Sequence, residues 1–171
     1  MINIETDLDE VSITGILMRV GIVVNPDAGL GGRLGFKGSD GRAKEARAAG
    51  AEDRAGPRML QCLNKLESLL ISSLNRSKVK PEIYALDGRM GGHWIPNDYN
   101  SIGDTPDTTS AEDTNKLVNQ LIDCDVDVIL YAGGDGTTRD IVNSLGEQKI
   151  PLIGVPGGVK MHSGCFATTP N

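Results

Sequence analysis

"YAGGDGTTRDIV", residues 131–142, follows directly on "DVIL" and sets three glycines around one acid. An apolar run that stops at glycines and resumes as "RDIVNSLG" reads as a strand, a tight turn and a helix ended by Gly146. Glycines 133, 134 and 136 remove Cβ atoms, which permits positive φ and lets backbone N–H groups point into a concavity. The helix, expected to start near Thr137, adds the positive end of its dipole at the same place. Together these make an anion site, most naturally for phosphate. Asp135 is then the anomaly. A carboxylate repels phosphate unless a divalent cation bridges the two, or unless its task is to take a proton from an attacking hydroxyl. Both tasks belong to phosphoryl transfer. Spacing leaves one alternative open: an ordinary strand-to-helix turn in which Asp135 only accepts hydrogen bonds from backbone amides.

The same grammar repeats along the chain. "VGIVV" (20–24) is a β-branched run stopping at Asn25-Pro26, and "EIYAL" (82–86) and "PLIGV" (151–155) are two more. Continuous apolar runs of this kind suit strands buried on both faces of a parallel sheet. Between the first two, Pro57 opens a helix with Met59, Leu63, Leu66, Leu70 and Leu74 on one face, expected to pack on the sheet. "GRAKEARAAG" (41–50) is a short exposed helix candidate. Ser110 or Thr109 can cap "AEDTNKLVNQLID" (111–123), which carries acids in its first turn. The stretch 87–110 is rich in Gly, Pro, Asp and Asn and reads as a long irregular loop.

Strands alternating with helices predict one α/β domain: an open, mostly parallel, Rossmann-like sheet with helices on both faces. Ligands then bind outside the carboxyl ends of the strands, where three loops gather: 25–41, 133–137 and 156–160. The expected division is an N-terminal extension at 1–17, the α/β domain at 18–158, and a crossing segment at 159–171.

Composition excludes several functions. The chain of 171 residues carries a formal charge of −6, so no general attraction to nucleic acid or anionic lipid is expected. Aromatic residues make up 4%, too few for base-stacking platforms. Glycine is abundant, 22 residues, but without period, which argues for several backbone-built loops rather than a fibrous or low-complexity chain. Three isolated cysteines read as reduced thiols, and no leader or long apolar span is evident, so a cytoplasmic protein is expected. Neither histidine, His93 or His162, lies in a zinc-type spacing, so no metal site is expected. The other nucleotide loops, G-x-x-x-x-G-K-[ST] and G-x-G-x-x-G after a strand, are absent from the sequence.

At this point the residues carry a family likeness. "GGDGT" (133–137) resembles the signature shared by NAD kinases and the diacylglycerol and sphingosine kinases, with a close variant in phosphofructokinases. "VNPDAGLGGRLGFKGSDG" (24–41), "TTSAEDTNKLV" (108–118), "ILYAGGDGTTRDIV" (129–142) and "IGVPGGVKMHSGCFATTP" (153–170) narrow it. The chain is similar to the ATP-NAD kinase family, in particular its acetoin-catabolism-type branch, from about Gly21 onward.

The resemblance implies a phosphotransferase that moves a phosphoryl group from ATP, or polyphosphate, to the 2′-hydroxyl of the adenosine ribose of NAD, with Mg2+ or a similar divalent cation. Asp135 takes the place of the general base. Gly133, Gly134, Gly136 and Thr137 hold phosphates, Asn25 sits beside them, and Lys37 is a phosphate contact or a solvated loop lysine. Lys160, Met161, His162 and Ser163 follow the fourth strand and should lie near the same cleft, with Lys160 and His162 on its substrate side, or His162 as a hinge residue. The family's second, mostly β domain is not expected within these residues, and the long first loop leaves the acceptor open. Three readings therefore stand: an NAD kinase or a kinase of another small hydroxyl compound, a nucleotide-binding half-domain without catalysis, and, more distantly, a lipid kinase. Exposed apolar surface near Met161 and Phe166 adds the expectation of self-association.

Overall fold

The computed structural model describes residues 17–30, 43–73, 80–157 and 161–167. In chain order they form β1 (Leu17–Val24), α1 (Ala43–Ala48), α2 (Ala55–Ser73), β2 (Lys80–Asp87), β3 (Asn100–Asp104), α3 (Ala111–Asp123), β4 (Val128–Gly133), α4 (Asp135–Leu145) and β5 (Leu152–Pro156). The five strands make one all-parallel sheet in the order β3-β2-β1-β4-β5. The expected α/β architecture is therefore the observed one.

Alternation along β1 explains the two layers. Val20, Ile22 and Val24 point to one face and pack with Met59 and Leu63 of α2. Val23 points to the other and packs with Leu117 and Leu121 of α3 and Ile141 of α4. β4 divides in the same way, with Leu130 and Ala132 toward α2 and Ile129 and Tyr131 toward α3 and α4. A strand covered on both faces must be apolar at every position, which is why β4 is buried throughout. At Gly21 an added Cβ would lie 2.8 Å from Leu121 Cδ1. The missing side chain lets α3 lie close against β1.

Three expectations change. The stretch 87–110 is not one irregular loop: it holds two 3-10 turns, Gly88–Met90 and Gly92–Trp94, and the edge strand β3. "NSIGD" has a single large apolar residue, so no alternation marks it, and it becomes a strand through backbone pairing with β2. The face of α2 is buried only in its first half. Met59 and Leu63 are core, whereas Leu66 is 36% exposed and Leu70 half-buried, the two lining an open cleft with Pro81 and Ile83 of β2; Leu74 lies outside the described residues. α4 begins at Asp135 rather than near Thr137, so the acid belongs to its first turn. Elsewhere the caps fall as expected. The Asp113 carboxylate accepts the Ser110 amide at 2.9 Å and the Ser110 hydroxyl at 2.7 Å at the start of α3, and Gly146 ends α4 at φ 55.

Candidate functional site at the β1–β4 switch point

β1 leads leftward to β2 and β3, while β4 and β5 extend the sheet on the other side of β1. The order reverses between β1 and β4. Loops leaving the carboxyl ends of those two strands therefore diverge to opposite faces and open a crevice between them. Asn25 ends one strand and Gly133 the other. The Asn25 amide N–H still belongs to the sheet, donating to the Ala132 carbonyl at 2.9 Å. Its side-chain Nδ2 donates to Thr137 Oγ1 at 2.9 Å, and its Oδ1 accepts the Asp27 N–H at 3.0 Å. One asparagine thus ties the first loop to the first turn of α4.

The glycines of 133–137 serve a different purpose from the one expected. None of Gly133, Gly134 and Gly136 has positive φ; among the described glycines those are 29, 50, 88, 103 and 146. Gly134 is extended, at φ −127 and ψ −169. Gly133 is required by close approach, because a Cβ there would stand 2.5 Å from Thr137 Oγ1 and 2.6 Å from Thr137 Cβ. Gly136 is the opposite case. It is exposed, and a Cβ there meets nothing within 4 Å. The first-turn N–H groups of α4 have no intrahelical acceptor, and those of Asp135, Gly136 and Thr137 donate to no other group among the described residues. A helix start of this kind has the chemistry to receive an anion, the role expected of the glycine turn.

Asp135 stands at this helix start, and its carboxylate is engaged. Oδ1 accepts the His162 N–H at 2.9 Å, the Ser163 N–H at 3.0 Å and the Ser163 hydroxyl at 2.8 Å; Oδ2 shares the His162 N–H at 3.1 Å. The Ser163 hydroxyl and amide, followed by the His162 amide and ring, hold the carboxyl below the ordinary carboxylate value; burial opposes them. The segment 161–167 that supplies these donors is itself fastened to β5. Gly154 N–H donates to the Cys165 carbonyl at 2.8 Å, Ala167 N–H to the Gly154 carbonyl at 2.8 Å, and the Phe166 ring lies 5.7 Å from that of Tyr131. Tyr131 bonds Thr138 Oγ1 at 2.6 Å and Cys165 Sγ at 3.0 Å, and burial, then Cys165, pushes its hydroxyl pKa well up.

On the other side of the crevice, ion pairs brace the first loop. Arg47 reaches the Pro26 carbonyl at 3.1 Å, Asp27 at 2.8 Å and Asp53 at 3.1 Å, while Arg89 meets Asp53 at 3.0 Å. Burial works against the charge on Arg47, but its bonds to Asp27 and Asp53 outweigh that and hold its pKa above the usual guanidinium value. Arg54 lays its stem against Gly29 and lines a cleft of about 300 Å³. The family model for the ATP-NAD kinase N-terminal domain matches residues 20–171.

The chain belongs to the ATP-NAD kinase family. Its matched region takes in β1 from Val20 on, the other four strands, α4 and the strap at 161–167. No curated protein sequence matches the chain. Of the residues that sequence reasoning assigned to this kinase-type site, the structure brings Asn25, Gly133, Asp135 and Thr137 together, with His162 joining through its backbone. Lys37 and Lys160 lie outside the described residues. His93 is exposed, with its ring centroid 4.7 Å from that of Trp94 in a tilted contact. Sequence reasoning set Ser163 near the cleft after the fourth strand but missed its bond to Asp135, and it missed the Arg47–Asp53 brace. A serine followed by glycine is a turn signal, but nothing local marks its partner 28 residues earlier.

Among the described residues no group of three or more His, Cys, Asp or Glu side chains could hold a metal ion. No described helix is long and apolar enough to cross a membrane.

Proposed function

We propose that this protein is an NAD kinase: it transfers the γ-phosphoryl group of ATP to the 2′-hydroxyl of the adenosine ribose of NAD. The observation that carries the reading is the Asn25–Thr137 bond, which closes the β1–β4 switch point beside an open, donor-rich start of α4. Phosphates of a nucleotide, arriving with their own divalent cation as Mg-ATP, fit against the free N–H groups of 135–137. Gly136 leaves room for them, and Asn25 keeps the helix start in place. Asp135 accepts the proton of the attacking hydroxyl as the ribose O–P bond forms and the bond to the ADP leaving group breaks. An ionised carboxylate at neutral pH is the form that this step requires.

One observation favours a second reading, a nucleotide-binding half-domain without catalysis. The strap satisfies much of the Asp135 carboxylate, and donors that lower its pKa also weaken it as a base. The two readings separate in one experiment. NADP formation is followed with Mg-ATP or polyphosphate as donor and NAD or other small hydroxyl compounds as acceptor, in the wild type and in Asp135→Asn. Asparagine keeps Oδ1 for the strap and puts an amide where Oδ2 was. The expected outcome is turnover in the wild type, a loss of about 10²–10⁴-fold in the variant, and unchanged nucleotide affinity. A variant with wild-type rate would remove Asp135 from the chemistry, and nucleotide binding without turnover in the wild type would establish the second reading.

A further inference from the structure

The contacts of the Asp135 carboxylate are unequal. Oδ1 takes three donors, from the His162 amide, the Ser163 amide and the Ser163 hydroxyl. Oδ2 receives only a share of the His162 N–H, at 3.1 Å. A carboxylate oxygen has two lone pairs in its plane, so Oδ1 is saturated and Oδ2 keeps acceptor capacity. We propose that Ser163 is a positioning residue, whose hydroxyl and amide anchor Oδ1 so that Oδ2 is the oxygen presented to the ribose hydroxyl of the acceptor. This rests on the phosphoryl-transfer reading given above. Ser163 touches no reacting atom and acts through Asp135.

The geometry supports a built anchor rather than a chance contact. The strap is fixed independently of Asp135, through the Gly154–Cys165 and Ala167–Gly154 hydrogen bonds and the Phe166–Tyr131 ring contact. Its donors are therefore held out toward α4 whether or not the acid is present. A preorganised support of this kind narrows the rotamers of the side chain it holds, which matters for a group that must meet an acceptor within hydrogen-bond reach. The titratable groups that bear on Asp135 from its surroundings, among the described residues, are His162 on the strap and Tyr131 on β4.

The test uses Ser163→Ala and Ser163→Thr in the full chain, with two readouts. The first is the titration of the Asp135 carboxyl carbon followed by NMR, without any ligand. In the alanine variant it moves up toward the ordinary carboxylate range, and in the threonine variant it returns to the wild-type position. The second is steady-state NADP formation across pH. In the alanine variant kcat falls roughly tenfold, the loss expected for one charge-assisted hydrogen bond, and KM for NAD and ATP stays within about twofold. Its acid limb, where the base becomes protonated, moves up with the Asp135 titration, and threonine restores both.

An unmoved Asp135 titration in Ser163→Ala overturns the proposal, as does a moved titration with unchanged kcat. Equal losses in the alanine and threonine variants overturn it as well. A wild-type protein that forms no NADP overturns the reaction reading and the presentation of Oδ2 with it, while the titration still decides whether Ser163 anchors the acid.

Discussion

Replacing Gly136 by alanine separates stability from ligand binding, because the two effects have opposite signs. The site is in the first turn of α4, its φ is not positive, and the new Cβ meets nothing within 4 Å. The fold therefore incurs no steric cost and gains the difference in helix propensity, roughly 0.5–1 kcal/mol. For a domain of this size that raises Tm by about 1–4 °C. The same methyl group projects into the space where a phosphate would approach the N–H groups of 135–137. Losing one hydrogen bond to a charged group costs about 1.5–3 kcal/mol, or roughly 10–100-fold in affinity. Gly133→Ala is the contrasting control, since its Cβ collides with Thr137 and must push α4 off Asn25, at about 1–3 kcal/mol. Calorimetric Tm and nucleotide titration of both variants read the two effects separately. A Gly136→Ala protein that is more stable and binds nucleotide as tightly as the wild type would show that phosphate does not sit at this helix start.

Two further outcomes follow from burial and charge. Met59→Ala should cost about 2–5 kcal/mol in denaturant unfolding, because its side chain is fully buried under the sheet, whereas Leu69→Ala should stay within about 0.5 kcal/mol. Equal effects would mean that the second half of α2 is covered after all. The Asp135–strap bonds should also be pH-dependent. The folded pKa is lowered, so their contribution is complete above the unfolded value of 3.8 and is lost as pH falls through the folded value beneath it. Hydrogen exchange at the His162 and Ser163 amides should accelerate only in that acidic window, and acceleration near neutral pH would contradict the assignment.

The sheet was readable because its central strands are buried twice. "VGIVV" and "DVILYA" need apolar residues on both faces, and such runs stand out in any sequence. β3 was not readable because an edge strand held by backbone pairing to β2 asks little of its side chains. The long face of α2 misled for a related reason. Periodicity reports which residues share a side of a helix, not how deeply each of them is buried. At the site, the adjacency of Asn25 and the glycine turn followed from parallel neighbours in an open sheet. The role of the glycines did not. Whether a glycine supplies positive φ, close approach or open space depends on partners such as Thr137 that only the fold brings near. Ser163 was expected near the cleft, but its bond to Asp135 was not legible for the same reason, since it spans 28 residues and has no local signature.

β5 is a terminal strand of the sheet, and residues 165–167 lie along its outer side, bonded to Gly154 at 2.8 Å in both directions. An uncovered edge of this kind is a template on which a second chain can add, so the strap shields the protein from edge-to-edge aggregation. The strap's bonds to Asp135 add to these contacts with β5, so the acid proposed for chemistry also steadies the guard. Evolution at position 135 is thereby constrained from two directions. A change that only altered reactivity could be tolerated in a protein with a new task, but one that also removed the strap's acceptor would leave the guard held by its β5 and Tyr131 contacts alone. An inactive descendant of this domain would have reason to keep the aspartate.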